Sequence, residues 1–340
     1  MDIKTKNETQ NGTESTAPKP KKKFPYIYTG SDLLNTKTEE VQHLWKPFIE
    51  KEGLVALAGS SDVGKSSFLR QLAIAIVLKS DEFLGHKLHP RYGRVIYYST
   101  EDSKDSITRL LKKQLPKTNP DDLAGLCYIF DEENPLKKIE EQLKEEKTDA
   151  VIIDCFADVY DGNLNDSTGV RQFIRKYKIL SSTYDCAFIF LHHTGKRTEL
   201  GNPSKNNLVG SQSFEAKMRL VMELRKNAGT QYRYLHLTKG NYIPESLKTD
   251  SIELIFDDKQ EFTFNGKKPI DTVESPSAKI FSEAAKAKVI KAAGKLKAKG
   301  LALDKIITEL KAAGLDKIPS KGTLHQWMKE EKDVQSMETA

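Results

Sequence analysis

The chain has few cysteines and no long apolar run, and these two absences exclude several classes of protein. Its three cysteines, Cys127, Cys155 and Cys186, are dispersed with no C-x-x-C pair, so the sequence offers neither a disulfide framework nor the usual ligand spacing of a zinc site. No apolar run approaches the roughly 18 residues of a membrane-spanning helix, and the first residues lack the apolar core of a signal peptide. We therefore expect a cytoplasmic protein that holds no zinc.

Charge is distributed unevenly along the chain. Residues 1–23 hold six lysines against three acids, and residues 276–340 hold thirteen lysines against eight acids. The middle of the chain is therefore close to neutral. The first segment is also rich in Asn, Thr and Pro, which predicts a disordered basic tail. Basic ends around a near-neutral core indicate contact with nucleic acid, although the 30% of charged residues is also typical of ordinary solvated surfaces.

A complete P-loop pattern, G-x-x-x-x-G-K-[ST], occupies residues 59–66. It lies between the apolar run 54–58, which predicts a strand, and the apolar-periodic segment 68–78, which predicts a helix. Its two glycines allow the backbone to curl so that successive N–H groups face phosphates, and the N-terminus of the helix adds its positive dipole end. The predicted nucleotide-binding residues are Gly59, Ser60, Ser61, Asp62, Val63, Gly64, Lys65, Ser66 and Ser67.

The P-loop predicts ATP and Mg²⁺ as the ligands of this site. Lys65 is expected to reach the β- and γ-phosphates, and the Ser66 hydroxyl is expected to ligate Mg²⁺. The wholly apolar segment 150–153 reads as a central parallel strand, and it runs directly into Asp154. We expect Asp154 to be the second protein ligand of the metal.

A general base has to come from elsewhere, because Asp154 is followed by Cys155 and not by a glutamate. The apolar segment 94–99 predicts another strand, and Glu101 follows it. Carboxyl ends of parallel strands meet at one edge of a sheet, so Glu101 is our candidate for the base that accepts the proton of the attacking water. The alternative for Glu101 is a place in the first turn of the next helix, a role that fits Asp102 better.

The order of these motifs, together with His-His-x-x-Lys at residues 192–196, resembles the RecA superfamily. Within it, the chain is most similar to the RepA-like ATPases of plasmids, phages and mobile elements, relatives of the DnaB-type hexameric helicases. The resemblance covers roughly residues 30–245. It implies a RecA-like α/β fold with a doubly wound, mostly parallel sheet, a homo-oligomeric ring of six subunits, and single-stranded DNA as a partner.

The resemblance also implies roles for residues after the P-loop. His192 or His193, at the end of the predicted strand 186–191, would sense the γ-phosphate. The residues that would line a DNA-facing loop after this strand are Lys196, Arg197 and Lys205.

Ring-forming members of the superfamily complete each ATP site with a cation from the next subunit, which neutralises charge that develops on the γ-phosphate. Residues 218–225 and 232–237 predict two strands. By resemblance, the candidate cations are Arg225 and Lys239, with Arg219 in reserve. Each of them is explained equally well as a solvated cation on an alternating strand.

Residues 276–340 predict a small all-α domain after a break near Pro276. Apolar residues at 303, 306, 307 and 310 give one apolar helix face, and a second helix is predicted after Ser320. This helix-turn-helix pattern would expose residues that could enter a DNA major groove, although the same helix could dock on a protein. The exposed residues would be Lys321, Thr323, His325 and Gln326.

Together, these patterns predict a tail (1–23), a RecA-like P-loop ATPase domain (24–275) and a helix-turn-helix domain (276–340). The expected activity is Mg²⁺-dependent ATP hydrolysis coupled to DNA, as in a helicase or a helicase loader. An ATP-switched DNA-binding regulator without unwinding activity is the alternative. A small-molecule P-loop kinase is disfavoured, because no Arg-rich lid segment follows the core.

Overall fold

The computed structural model describes residues 28–37, 40–130, 133–195, 203–208, 212–227, 230–270, 283–313, 319 and 321–328. The predicted tail, residues 1–23, lies outside the described residues, as do Lys196 and Arg197. The chain divides into two compact units, residues 1–41 and 42–340. The domain boundaries at residues 23/24 and 275/276 stay predictions.

The described part of the chain alternates strands and helices. In chain order the strands are β1 (His43–Trp45), β2 (Ile49–Glu50), β3 (Gly53–Gly59), β4 (Glu82–Phe83), β5 (His86–Lys87), β6 (Val95–Ser99), β7 (Leu126–Phe130), β8 (Ala150–Asp154), β9 (Ala187–His193), β10 (Leu220–Lys226), β11 (Tyr232–Gly240), β12 (Asp250–Phe256) and β13 (Phe262–Pro269). The helices are α1 (Gly30–Asn35), α2 (Lys65–Val77), α3 (Lys104–Gln114), α4 (Pro135–Glu145), α5 (Phe156–Val159), α6 (Ser167–Tyr184), α7 (Gln212–Lys217), α8 (Glu283–Ala298), α9 (Leu303–Ala312) and α10 (321–328).

A nine-stranded sheet organises the second unit, with the strand order β13-β12-β11-β10-β3-β9-β8-β6-β7. From β10 to β7 all neighbours are parallel, whereas β11, β12 and β13 extend the sheet in antiparallel pairs. The central strands β3, β8 and β9 are almost entirely buried, as expected of parallel strands covered on both faces. The predicted mixed α/β fold with a large, mostly parallel sheet is confirmed.

Each central strand contributes to two hydrophobic cores, because successive side chains point to opposite faces of a sheet. Ile152 lies in the core with the α2 residues, including Phe68. Its neighbour Ile153 lies in the core with the α6 residues, including Tyr177. Helices therefore cover both faces of the sheet.

The register of the parallel strands brings the polar strand ends to one edge. His193 at the end of β9 pairs with Gly59 at the end of β3, and Asp154 at the end of β8 pairs with Ser99 at the end of β6. The crevice outside the carboxyl ends of such strands is where α/β proteins bind ligands.

The last three described helices, α8, α9 and α10, share a small apolar core. Ile306 and Leu310 of α9 are buried there with Val289, Ala293 and Leu324, in agreement with the predicted apolar face. Ser320, the predicted cap, lies outside the described residues, and the helix-turn-helix domain stays a prediction. Among the helices that the structure describes, none combines the length and apolarity that a membrane span requires.

Candidate active site

The P-loop connects the end of β3 to the start of α2 at Lys65, and both of its glycines are required by the packing. A Cβ atom on Gly59 would lie 2.6 Å from the carbonyl oxygen of Leu224. Gly64 has a φ of +97°, and a Cβ atom there would lie 2.9 Å from Cζ of Phe262. Other residues would clash or be strained, so this sequence forms the curled loop that phosphates need.

Lys65 lies at the mouth of the loop with its ammonium group tied down. Its Nζ donates to the Ser60 carbonyl oxygen at 2.7 Å and lies 3.4 Å from Nδ1 of His193. Burial lowers the pKa of Lys65, and the carboxylates of Asp154 and Glu101 oppose this shift. The lysine is thus held among groups that a phosphate would replace.

His193 bridges Lys65 and Glu101. An ammonium group can only donate hydrogen bonds, so His193 Nδ1 accepts from Lys65 and the proton of the neutral ring lies on Nε2. This Nε2–H donates to Oε1 of Glu101 at 3.2 Å. The phosphate-binding lysine and the candidate base are therefore connected through a single imidazole.

Asp154 offers a buried carboxylate oxygen to a metal. Its Oδ2 accepts a hydrogen bond from the Tyr97 hydroxyl at 2.8 Å, and its Oδ1 has no hydrogen-bond partner among the described residues. Burial raises the pKa of Asp154 to about 6, against the effect of the nearby Tyr97 and Ser66 hydroxyls. A buried, incompletely satisfied carboxylate near a serine hydroxyl fits the oxygen ligands of Mg²⁺, which Ser66 and Asp154 would hold.

The two histidines have different surroundings. The His192 ring stacks on Phe156 with ring centroids 5.5 Å apart and lies 4.7 Å from the Phe214 ring, in the core opposite the P-loop helix. Burial lowers the pKa of His192 to about 4, so the ring is neutral at pH 7. Of the two predicted sensors, the structure brings His193 to the site and leaves His192 in the core.

The start of α3 corrects one expectation. Asp102 was expected to occupy the helix start, but Ser103 caps α3, because its side chain accepts from the Ser106 backbone N–H at 3.2 Å. The first-turn acid is Asp105. Glu101 precedes the cap, where its carboxylate faces His193.

The three candidate cations for a neighbouring ATP site each pair with a carboxylate of their own chain. The pairs are Arg225 Nη2–Glu223 Oε1 at 2.7 Å, Lys239 Nζ–Glu215 Oε1 at 3.0 Å and Arg219 Nη1–Glu50 Oε2 at 2.7 Å. Arg225 lies at the P-loop edge of the sheet. Lys239 lies at the opposite edge, since it pairs with Val221 near the start of β10.

Of the predicted DNA-facing loop, the structure describes residues 203–208. The buried Glu223 carboxylate holds this segment, accepting hydrogen bonds from the Ser204 backbone N–H at 3.0 Å and from Asn207 Nδ2 at 3.1 Å. Lys205 lies at the surface, 3.9 Å from the Glu215 carboxylate. In the last helix, Lys321 pairs with Asp304 at 2.6 Å, while His325 and Gln326 are exposed and Thr323 is half-buried.

Sequence spacing did not reveal one juxtaposition at the site. Glu101, Cys155 and His193 follow or end three neighbouring strands, and their potential metal-ligand atoms lie within 4.8 Å of one another. The expectation that the cysteines and histidines have no potential metal-binding partners was therefore wrong. The Lys65 ammonium against His193 opposes a divalent cation there, so this arrangement suits the end of a triphosphate better than a bound zinc ion.

A cavity of about 390 Å³ opens at the P-loop. One wall carries Glu101 and His193, and the floor is formed by P-loop residues between Ser61 and Ser67. Phe256 at the end of β12 and Gln260 in the turn before β13 also line it, and sequence reasoning assigned neither a role. No motif marks them, because only tertiary packing brings this hairpin to the P-loop.

Residues 20–199 match the protein family described as AAA domain. A solved structure whose title describes an ATPase domain is similar with a TM-score of 0.48 and 16% sequence identity, over 63% of this chain and 84% of that chain. No curated protein matches the sequence. Because the family match spans more than half of the 340 residues, and because it contains the P-loop, Glu101 and Asp154, the chain belongs to the AAA domain family of P-loop ATPases.

Proposed function

We propose that the protein is a Mg²⁺-dependent ATPase that acts on DNA, a RepA-like, ring-forming helicase or helicase loader of a plasmid, phage or mobile element. The observation that carries the proposal is the convergence of Lys65, Glu101, Asp154 and His193 around one cavity at the carboxyl edge of the sheet. This arrangement supplies a phosphate cradle, a metal-binding carboxylate and a base.

The chemistry begins with phosphate capture. Backbone N–H groups of the P-loop and the α2 N-terminus bind the phosphates, and Lys65 exchanges the Ser60 carbonyl oxygen for phosphate oxygens. Ser66 and Asp154 would hold Mg²⁺, which neutralises phosphate charge when bound. Glu101 accepts a proton from the attacking water, which requires only that it lies within hydrogen-bond reach of that water.

His193 couples the chemistry to the loop that follows β9. When Lys65 turns to the γ-phosphate, His193 loses the donor at Nδ1, and its bond to Glu101 is no longer fixed from both sides. His193 ends β9, and residues 195–208 follow directly. A change at the imidazole therefore biases the loop in which Lys196, Arg197 and Lys205 are proposed to contact DNA.

A second function is favoured by one observation. Each candidate cation for a neighbouring site is paired within its own chain, as would suit an ATP-switched DNA-binding regulator whose subunits do not complete one another's sites. In that protein, nucleotide controls assembly or recruitment, and DNA is held by the C-terminal helices with Lys321, Thr323, His325 and Gln326.

The deciding experiment measures ATP turnover with and without single-stranded DNA, alongside unwinding of a forked duplex. The motor proposal expects DNA-stimulated turnover and unwinding. Neutralising Lys196, Arg197 and Lys205 together should abolish the stimulation and spare the basal rate. Turnover that ignores single-stranded DNA, with duplex binding that depends on residues 276–340, would replace the motor by the regulator. Absence of ATP hydrolysis in the full-length protein would refute both.

A further inference from the structure

The cavity at the P-loop has a second wall of different chemistry. Glu101 and His193 line the part where a γ-phosphate would react, whereas Phe256 and Gln260 offer an aromatic ring and a neutral amide. Neither of these two side chains carries a charge that would hold a phosphate. Building on the proposed nucleotide site, we infer that the nucleobase of the bound triphosphate stacks on Phe256, beside the Gln260 amide.

The aromatic wall lies directly against the phosphate loop. A Cβ atom on Gly64 would be 3.2 Å from Cζ of Phe256 and 2.9 Å from Cζ of Phe262. The Phe256 and Phe262 rings are 4.5 Å apart between centroids. A nucleotide with its phosphates on the loop therefore has an aromatic surface within reach of its other end.

The Phe256 ring is held in place from behind. The Arg233 guanidinium lies over it, 5.2 Å from the ring centroid, and Arg233 Nε donates to the Val63 carbonyl oxygen of the P-loop at 3.2 Å. Arg233 is 5% exposed, so this contact is shielded from solvent. Because the ring is already ordered by its neighbours, stacking on it costs little conformational entropy.

The turn that carries Gln260 is anchored to the two helices beside the cavity. The Gln114 side chain donates to the Gln260 carbonyl oxygen at 2.9 Å, and Ser67 Oγ donates to Gln260 Oε1 at 3.3 Å. Lys113 Nζ donates to the Asp258 carbonyl oxygen at 2.6 Å. The amide of Gln260 is thus positioned over the start of α2, where it can contact the edge of a base.

The test measures binding of ATP, GTP and inorganic tripolyphosphate to the full-length protein by calorimetry with Mg²⁺ present. Tripolyphosphate has the phosphates and no base. Phe256→Ala should weaken ATP and GTP about 5- to 100-fold, the range of one aromatic–base stack, since stacking needs only the π-face that every base has. Tripolyphosphate affinity should stay within about twofold.

Three variants make the result specific. Phe256→Leu keeps an apolar side chain and should behave like Phe256→Ala, and Phe256→Tyr should retain ATP affinity. Phe264→Ala removes an aromatic from β13 that borders another groove and should leave all three affinities unchanged. Equal losses for ATP and tripolyphosphate in the Phe256 variants, or no loss for either nucleotide, overturn the inference. ATP that binds with this pattern but is not hydrolysed leaves the inference standing and contradicts the proposed function.

Discussion

The parallel and antiparallel parts of the sheet contribute different things to the nucleotide cavity. In the parallel part, β3, β8 and β9 deliver the P-loop, Asp154 and His193 by their carboxyl ends, and β6 leads to Glu101. In the antiparallel part, the contribution is the hairpin of β12 and β13 with Phe256 and Gln260. Groups that act on phosphate thus come from the ends of parallel strands, whereas an uncharged wall of the cavity comes from a hairpin.

Removing a cation that completes a neighbouring site would have the largest effect. Arg225→Ala or Lys239→Ala should lower ATP turnover by up to about 10³- to 10⁵-fold if either serves the next subunit, because charge on the γ-phosphate would lose its partner. Affinity of the isolated subunit for nucleotide should change little. Mixing the variant with Glu101→Gln should restore part of the activity at mixed interfaces, and a mixture with no recovered turnover would argue against a shared site.

Glu101→Gln tests the chemistry of the parallel part. We expect turnover to fall about 10²- to 10⁴-fold because the water loses its base, while ATP binding persists, since Lys65 and the loop are intact. Lys65→Ala is the matched comparison and should lose phosphate binding itself. Turnover rate and nucleotide affinity are measured in parallel for both variants. Normal hydrolysis by Glu101→Gln would show that the base is a different residue.

The adjacent histidines allow the two faces of β9 to be compared. His193→Ala should reduce turnover by about tenfold or more without loss of stability, because His193 contacts Lys65 and Glu101. His192→Ala should destabilise folding by about 1 to 3 kcal/mol, because it empties a site packed against Phe156 and Phe214. ATP turnover and urea unfolding distinguish them. A turnover defect confined to His192→Ala would reverse the assignment.

The smallest effect concerns acid stability of the antiparallel part. Burial lowers the pKa of His236 to about 3, and its Nδ1 pairs with Ser251 Oγ at 2.7 Å. The unfolded chain binds the proton below about pH 6.5 and the folded chain does not, so stability falls as the pH decreases from 6.5 toward 3, by about 2 kcal/mol at pH 5 from this residue.

His236→Asn should remove that share of the pH dependence. Urea unfolding at pH 7.5 and pH 5 measures it as the difference between the variant and the wild type. Groups such as Asp154, whose raised pKa acts in the opposite direction, are common to both proteins and cancel. Identical pH dependence in the two proteins would mean that His236 is not kept neutral by the fold.

Sequence reasoning found the residues whose positions follow from strand ends. Asp154 and Glu101 each follow an apolar segment, and parallel strands must bring such ends together. It could not choose between His192 and His193, because the face of each residue depends on the register of β9 against β3. Phe256 and Gln260 were missed for a related reason. Their place at the cavity depends on hydrogen bonds from α2 and α3 to the turn, which no local pattern encodes.

The bonds of Lys65 to Ser60 and His193 make nucleotide binding an exchange reaction. An ATP-free subunit does not present an idle ammonium and an idle carboxylate, because the lysine and Glu101 satisfy each other through one imidazole ring. Phosphates must compete with these internal partners, so the measured affinity is a difference between two sets of hydrogen bonds. The released partners are the residue that activates water and the last residue of β9. Occupancy is thereby announced to the rest of the chain at the moment when hydrolysis becomes chemically possible.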